Sequence, residues 1–244
     1  MKTPAGAPPQ TRTTAGAEGD YRWVYLWHWP IRAMHWVAAL CILVLVITGF
    51  YIGKPYFMTG TDAAATPFIM GWMRFIHFAA AAVLVATGIV RIYWLLAGNK
   101  YERFTALFPV RPRDWVNMLR TMMKYLMIHP ERGPHYLGHN PMQQFSYTGV
   151  YLLVLVQVVT GFTMYGLANP GGFFATVFGW VAPLFGGIQI VRFVHHVVTW
   201  AFIIFVPIHV YLALRSDVME REGSMSSIFS GGRFVRKDAH YEDD

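Results

Sequence analysis

Three histidines stand in one apolar stretch, VRFVHHVVTWAFIIFVPIHVYLAL, residues 191–214. Ionisable side chains in hydrocarbon are costly unless something compensates, and they mark functional positions. His195 and His209 are fourteen residues apart. At about 3.6 residues per turn that is nearly four turns, so the two rings share one side, while His196 is rotated by roughly 100°. A rise of about 1.5 Å per residue puts His195 and His209 about 21 Å apart along the helix axis. Neutral imidazole is the commonest metal ligand among protein side chains. Two in-phase imidazoles at opposite depths of one helix are suited to two separate metal centres.

The elements that carry them follow from composition. The 244 residues are 55% hydrophobic, 16% aromatic and only 14% charged. Four stretches, roughly 33–52, 75–96, 145–167 and 190–214, reach the length of about 20 apolar residues that spans a hydrocarbon core. All thirteen Asp and Glu fall outside them. An all-α integral membrane protein is expected, a four-transmembrane-helix bundle. The net charge of +7 is a topology signal and not a nucleic-acid footprint. Lys100, Arg103, Arg111, Arg113, Arg120, Lys124 and Arg132 sit between the second and third spans, and further Arg and Lys lie in both terminal segments. The other side holds only Lys54, Arg74 and Arg192. Lys and Arg collect in cytoplasmic loops, so both termini and the middle loop are expected inside. Cys41 is the single cysteine, which excludes disulfides, thiolate clusters and covalent c-type haem attachment.

With that topology, His35 lies near the inner end of span one and His77 near the outer end of span two. Pairing by depth gives His35 with His209 on the cytoplasmic side and His77 with His195 on the periplasmic side. Two such pairs from different helices suit two non-covalent, bis-histidine haems b, since helix bundles build cofactor sites from facing helices. Arg32, Arg74 and Arg192 each precede a ligand by three residues. The i, i+3 spacing shares a helix face, so each guanidinium can meet a haem propionate with charge-assisted hydrogen bonds. Interfacial snorkelling is the plain alternative. A lone membrane histidine is as often structural as ligating; four at two matched depths weigh toward haem. His196 falls off this face and is expected to make a packing or partner contact.

Three segments divide the chain: 1–22, a Pro/Gly/Ala/Thr-rich cytoplasmic tail expected to be disordered; 23–218, the membrane domain; and 219–244, a cytoplasmic C-terminal tail. RDWVNMLRTMMKYLMI in the 2–3 loop has helical apolar spacing with Arg and Lys alongside, and reads as an interfacial amphipathic helix or a helix that caps the bundle. His139, Asn140, Lys100, Tyr101 and Arg103 cluster in sequence near the inner haem and are candidate neighbours of a quinone. His139 could equally cap the third span. The twin TGF at 48–50 and 160–162 is the one repeat.

PIRAMHW (30–36), GWMRFIHF (71–78), RIYWLLAGN (91–99), GHNP (138–141), TGFTMYG (160–166), FGWVAPLFG (178–186) and HVVTWAFIIFVPIHVY (196–211) together resemble the membrane cytochrome b subunit of uptake [NiFe]-hydrogenases, over nearly all of the chain after residue 24. The resemblance implies hydrogenase small and large subunits docked on the periplasmic face of a bacterial inner membrane. It also implies passage of electrons from H2 through two haems b to a membrane quinone, with no hydrogenase active site in this chain. The family's ligand positions fall on His35, His77, His195 and His209. Relatives carry a further His where this chain has Arg192, so that contact is not transferable.

The alternatives are the cytochrome b subunit of formate dehydrogenase or another respiratory reductase, and a stand-alone b561-type cytochrome. From a different class come a His-lined transporter or metal channel, against which the lack of intramembrane carboxylates counts, and a redox-inert anchor.

Overall fold

The computed structural model describes residues 20–55, 68–126 and 135–244. Most of the segment expected to be a disordered N-terminal tail lies outside these residues. The elements run β1 (Tyr21–Tyr25), α1 (Trp29–Gly53), α2 (Ile69–Ala97), α3 (Phe104–Leu107), α4 (Pro112–Tyr125), α5 (Pro141–Gly166), α6 (Phe173–Phe178), α7 (Val181–Leu184), α8 (Ile188–Glu220), α9 (Ser227–Ser230) and β2 (Gly232–Arg236). α1, α2, α5 and α8 are each long and apolar enough to cross a membrane. The protein is an α-helical membrane bundle.

Each long helix overruns its apolar stretch because local chemistry sets its ends. Pro30 sits in the first turn of α1, where its missing N–H costs nothing. Asn140 and Gln143 form a reciprocal capping box at the start of α5, satisfying two of the helix's orphan donors. α1 packs closely on α2, and α5 on α8. Between these two helix pairs the joining contacts are made by side chains: Phe50 of α1 edges against His196 and Trp200 of α8, and Phe78 of α2 against Tyr165 of α5.

A cluster of buried apolar residues lies at one end, beneath a two-stranded ribbon. β1 pairs antiparallel with β2, with Tyr21 opposite Arg236 and Tyr25 opposite Gly232. Beneath it Leu26, Trp27, Tyr101, Leu137, Val235 and Tyr241 are buried together. The ribbon joins the two ends of the chain, so the C-terminal segment packs back onto the bundle. Asp243 accepts from the backbone N–H groups of Leu137 and Gly138 at 2.6 and 2.8 Å, and Tyr241 donates to Glu222 at 2.7 Å. Arg22 pairs with Asp244. These two strands depart from the all-helical expectation. Each is five residues long and its partner lies at the other end of the chain, so no local pattern announces the pairing.

α4 is the amphipathic helix expected in the middle loop; it lies against α5. Asn117 and Thr121 point inward, while Trp115, Val116 and Leu119 remain exposed. At the opposite end of the bundle α6 and α7 fold against α5, and α7 also touches α8. Phe173, Trp180 and Leu184 there are largely exposed, an apolar rim suited to an interface with lipid or protein.

Candidate cofactor site

α8 is the shared wall of the site. Its His209 faces His35 of α1, with ring centroids 6.3 Å apart and planes inclined by 50°. Its His195 interacts electrostatically with His77 of α2. The two pairs that depth and phase select are therefore the pairs the fold brings together, and both cross the seam between the α1–α2 and α5–α8 helix pairs. The separation of His35 and His209 fits one metal atom between two rings, since metal–imidazole bonds are about 2 Å long. No cluster of three or more His, Cys, Asp or Glu occurs among the described residues, so neither pair gains a carboxylate or thiolate to complete a small-ion site. That donor set, two imidazoles and nothing else, fits haem iron, whose remaining four positions belong to the macrocycle.

The two pairs are held differently. In the pair remote from the ribbon, Thr48 Oγ1 lies 2.9 Å from His77 Nδ1, and Thr160 Oγ1 lies 2.8 Å from His195 Nδ1. Next to each threonine a glycine lets the helices close up. A Cβ on Gly49 would stand 3.3 Å from His77 Cε1, and one on Gly161 3.5 Å from His195 Cε1. The twin TGF is thus one device used twice, once in α1 against α2 and once in α5 against α8. The repeat is visible in the sequence; its use is not, because it depends on which helices adjoin. In the ribbon-side pair, Phe205 stacks on His209 at 5.5 Å and 17°, and Trp36 meets His35 edge-on at 5.1 Å. Aromatic rings, not hydroxyls, flank these two histidines.

Of the three arginines, Arg32 donates through Nη1 to the Phe229 carbonyl, while its Nε is buried without a partner. Arg192 reaches Gln189, at 3.5 Å, and Arg74 is exposed at the start of α2. His196 packs between Phe50 and Trp200, accepting from the Trp200 indole at 3.3 Å.

The candidate quinone residues separate into two roles. Lys100, Tyr101, Arg103 and His139 line a cavity of about 390 Å³ on the ribbon side, together with Gln144, Tyr136 and the C-terminal Asp243 and Asp244. Asn140 instead spends its side chain on the α5 capping box. That leaves His139 free of the cap. Its ring stacks on Trp27 at 4.7 Å and meets Tyr147 edge-on at the same distance. Burial, with the nearby charge of Arg91 second, pushes its pKa down to about 3, so it is a neutral ring with one donor and one acceptor nitrogen.

Two further residues take their roles from the fold. Arg91 lies inside α2 and bonds the Tyr151 hydroxyl at 3.1 Å and the Glu102 carbonyl at 3.3 Å; a charge within a span is its sequence signal. Glu102, 1% exposed, accepts from the backbone and ring of His28, the Trp94 indole and the Asn99 backbone. It ties the start of α1 to the end of α2.

A membrane helical bundle that offers paired imidazoles across its central seam has a donor set that fits the membrane cytochromes. Comparison with known proteins narrows this. Residues 26–231 match the family model described as prokaryotic cytochrome b561, and the chain belongs to that family, which implies haem b. It is 39% identical over 211 residues to a probable Ni/Fe-hydrogenase B-type cytochrome subunit of Cupriavidus necator, covering 86% of each chain. A subunit of the same description from Azotobacter chroococcum is 38% identical, over 88% of this chain and 90% of its own. The probable Ni/Fe-hydrogenase 1 B-type cytochrome subunit of Escherichia coli K12 is 32% identical, over 86% and 90%.

Proposed function

We propose that this chain is the dihaem b-type cytochrome subunit of a membrane-bound [NiFe]-hydrogenase, a hydrogen:quinone oxidoreductase component of the bacterial inner membrane. The observation that supports it most is the pairing of His35 with His209 and of His77 with His195 across one seam, in a chain whose relatives bear hydrogenase-cytochrome names. The ribbon and both chain ends face the cytoplasm, following the Lys and Arg distribution. α6 and α7 face the periplasm, where the hydrogenase small and large subunits would dock and be anchored.

Bound at the two pairs, haems b supply one-electron transfer across the bilayer, toward a membrane quinone. The protein's part is geometric and electrostatic. His77 and His195 would hold the periplasmic-side iron, and His35 and His209 the cytoplasmic-side iron. A haem held by two imidazoles would favour electron transfer over binding of external ligands. Arg74 and Arg192 stand toward the outer surface and Arg32 toward the inner one, where propionates meet water; the unpartnered Nε of Arg32 is a donor available for that contact. The ribbon-side cavity takes the quinone head group. There neutral His139 orients a quinone carbonyl, while Lys100, Tyr101 and Arg103 form the polar mouth.

The test is a pyridine haemochrome assay with haem-to-protein stoichiometry on the intact membrane complex and on His35→Ala, His77→Ala, His195→Ala and His209→Ala. Two haems b in the parent, one in each variant, and co-purifying hydrogenase subunits are expected. A parent without a reducible b-type spectrum would sink the reading. One that co-purifies with formate dehydrogenase subunits would replace the partner and leave the cytochrome.

A further inference from the structure

The two TGF segments carry an inference about how the periplasmic-side ligands are set, and it rests on reading His77 and His195 as those ligands. A threonine hydroxyl has one hydrogen and two acceptor lone pairs. Thr48 Oγ1 lies 2.7 Å from the Val44 carbonyl one turn back, and Thr160 Oγ1 lies 2.6 Å from that of Val156. A carbonyl oxygen only accepts, and two oxygens this close require a hydrogen between them. Each hydroxyl hydrogen is therefore committed to its own helix, and each oxygen has only lone pairs to offer its histidine. The nitrogen facing it must be the donor, so Nδ1 carries the proton and Nε2 keeps a free lone pair.

We propose that Thr48 and Thr160 are positioning residues for the periplasmic-side haem. Each accepts the Nδ1–H of its histidine, locks that ring in the tautomer whose Nε2 can bind iron, and fixes the ring's rotation about the metal–nitrogen bond. Hydrogen bonding at the remote nitrogen makes a ligating imidazole a stronger donor, and loss of such a partner typically costs about 10- to 100-fold in metal affinity or activity. A neutral hydroxyl sits at the weak end of that range. Two features argue against simple helix glue. The device recurs on two separate helix pairs and on both members of the same histidine pair. Thr163, one turn along α5, is buried and makes the same bond to a carbonyl, Val159 at 2.7 Å, with no histidine across from it. Thr163 supplies the control for a threonine that is merely structural. The two clamps have the same geometry, with the hydroxyl 2.9 Å from His77 Nδ1 and 2.8 Å from His195 Nδ1.

The experiment is a redox titration of the haems in membranes holding the intact complex, with low-spin electron paramagnetic resonance, on Thr160→Val, Thr160→Ser, Thr163→Val and Thr48→Val. Valine keeps threonine's shape and removes the acceptor. In Thr160→Val one haem's midpoint potential should shift upward and its resonance should move. The other haem should stay in place, and retention of the affected one should weaken about tenfold. Thr160→Ser should restore both signals, Thr163→Val should move neither, and Thr48→Val should shift the same haem in the same direction. Selective loss of that haem in Thr160→Val, with recovery in the serine variant, counts in favour. Unmoved signals in Thr160→Val, an equal response in Thr163→Val, or failure of serine to restore would overturn the proposal. Retention of both haems by His195→Ala would instead overturn the ligand reading beneath it.

Discussion

The two histidine pairs present the same side chains and are held by opposite means. Remote from the ribbon, hydroxyls grip the rings from behind and glycines allow the grip to close. Beside the ribbon, Phe205 and Trp36 confine the rings by area and shape. A hydrogen bond sets the direction of a ring and can be removed by changing one atom. Packing sets position, and only a change of volume disturbs it. The ribbon-side pair also leans on a polar hub that the remote pair lacks: Glu102 holds His28, immediately before α1, and so fixes the start of the helix that carries His35. The remote pair should therefore answer to single-atom swaps, and the ribbon-side pair to cavities and to distant loosening of α1.

The largest stability effect should come from that hub. Burial alone would raise the Glu102 pKa, but donors from His28, Trp94 and Asn99 outweigh it and hold it below the ordinary 4.5. A depressed carboxylate stabilises the fold fully above its unfolded pKa, and that contribution is lost as pH falls through the folded value. Glu102→Gln keeps the volume and removes the charge. Since hydrogen bonds to charged groups contribute about 1.5–3 kcal/mol each, thermal stability of the ribbon-side haem spectrum should drop clearly at neutral pH. The parent should weaken on acidification from about pH 5 downward, while the variant changes less. An unchanged thermal profile at neutral pH would show that the hub does not support the pair.

Next in size is Phe205→Ala. Full burial of a phenylalanine makes its truncation cost about 3–5 kcal/mol; Phe205 is half-buried, so about half of that is expected, confined to the ribbon-side haem. Haem retention on detergent washing measures it. Loss from the remote site instead would reverse the contrast between the pairs.

These contrasts also mark what can be read from the chain alone. The four candidate ligands are legible because depth and phase are properties of single helices, and both follow from counting residues. Apolar length reveals the four spans for the same reason. What stays hidden depends on neighbours across the fold. Thr48 and Thr160 are isolated members of a repeat until α1 meets α2 and α5 meets α8. Glu102 reads as one more loop carboxylate. The ribbon needs both chain ends at once. Arg91 is the exception, since a charge inside a span is a local anomaly that the residue order alone exposes.

The smallest effects lie at glycines, and they probe the contrast most finely because each adds one methyl group at a known distance. Alanine is favoured over glycine in a helix interior by roughly 0.5–1 kcal/mol, so an unopposed substitution should stabilise. A Cβ on Gly149 meets nothing within 4 Å, and Gly149→Ala should gain that amount. At Gly161 the new Cβ would rest 3.5 Å from His195 Cε1, an ordinary contact, and the gain should survive with the spectrum unaltered. At Gly49 the distance is 3.3 Å, tighter than most real contacts. The His77 ring must then yield a few tenths of an ångström, at the expense of its 2.9 Å bond to Thr48. Gly49→Ala should therefore move the remote haem's resonance in the same direction as Thr48→Val, while the ribbon-side haem stays put. If Gly49→Ala and Gly149→Ala behave alike, the hydroxyl does not fix the ring, and the remote pair is held by packing after all.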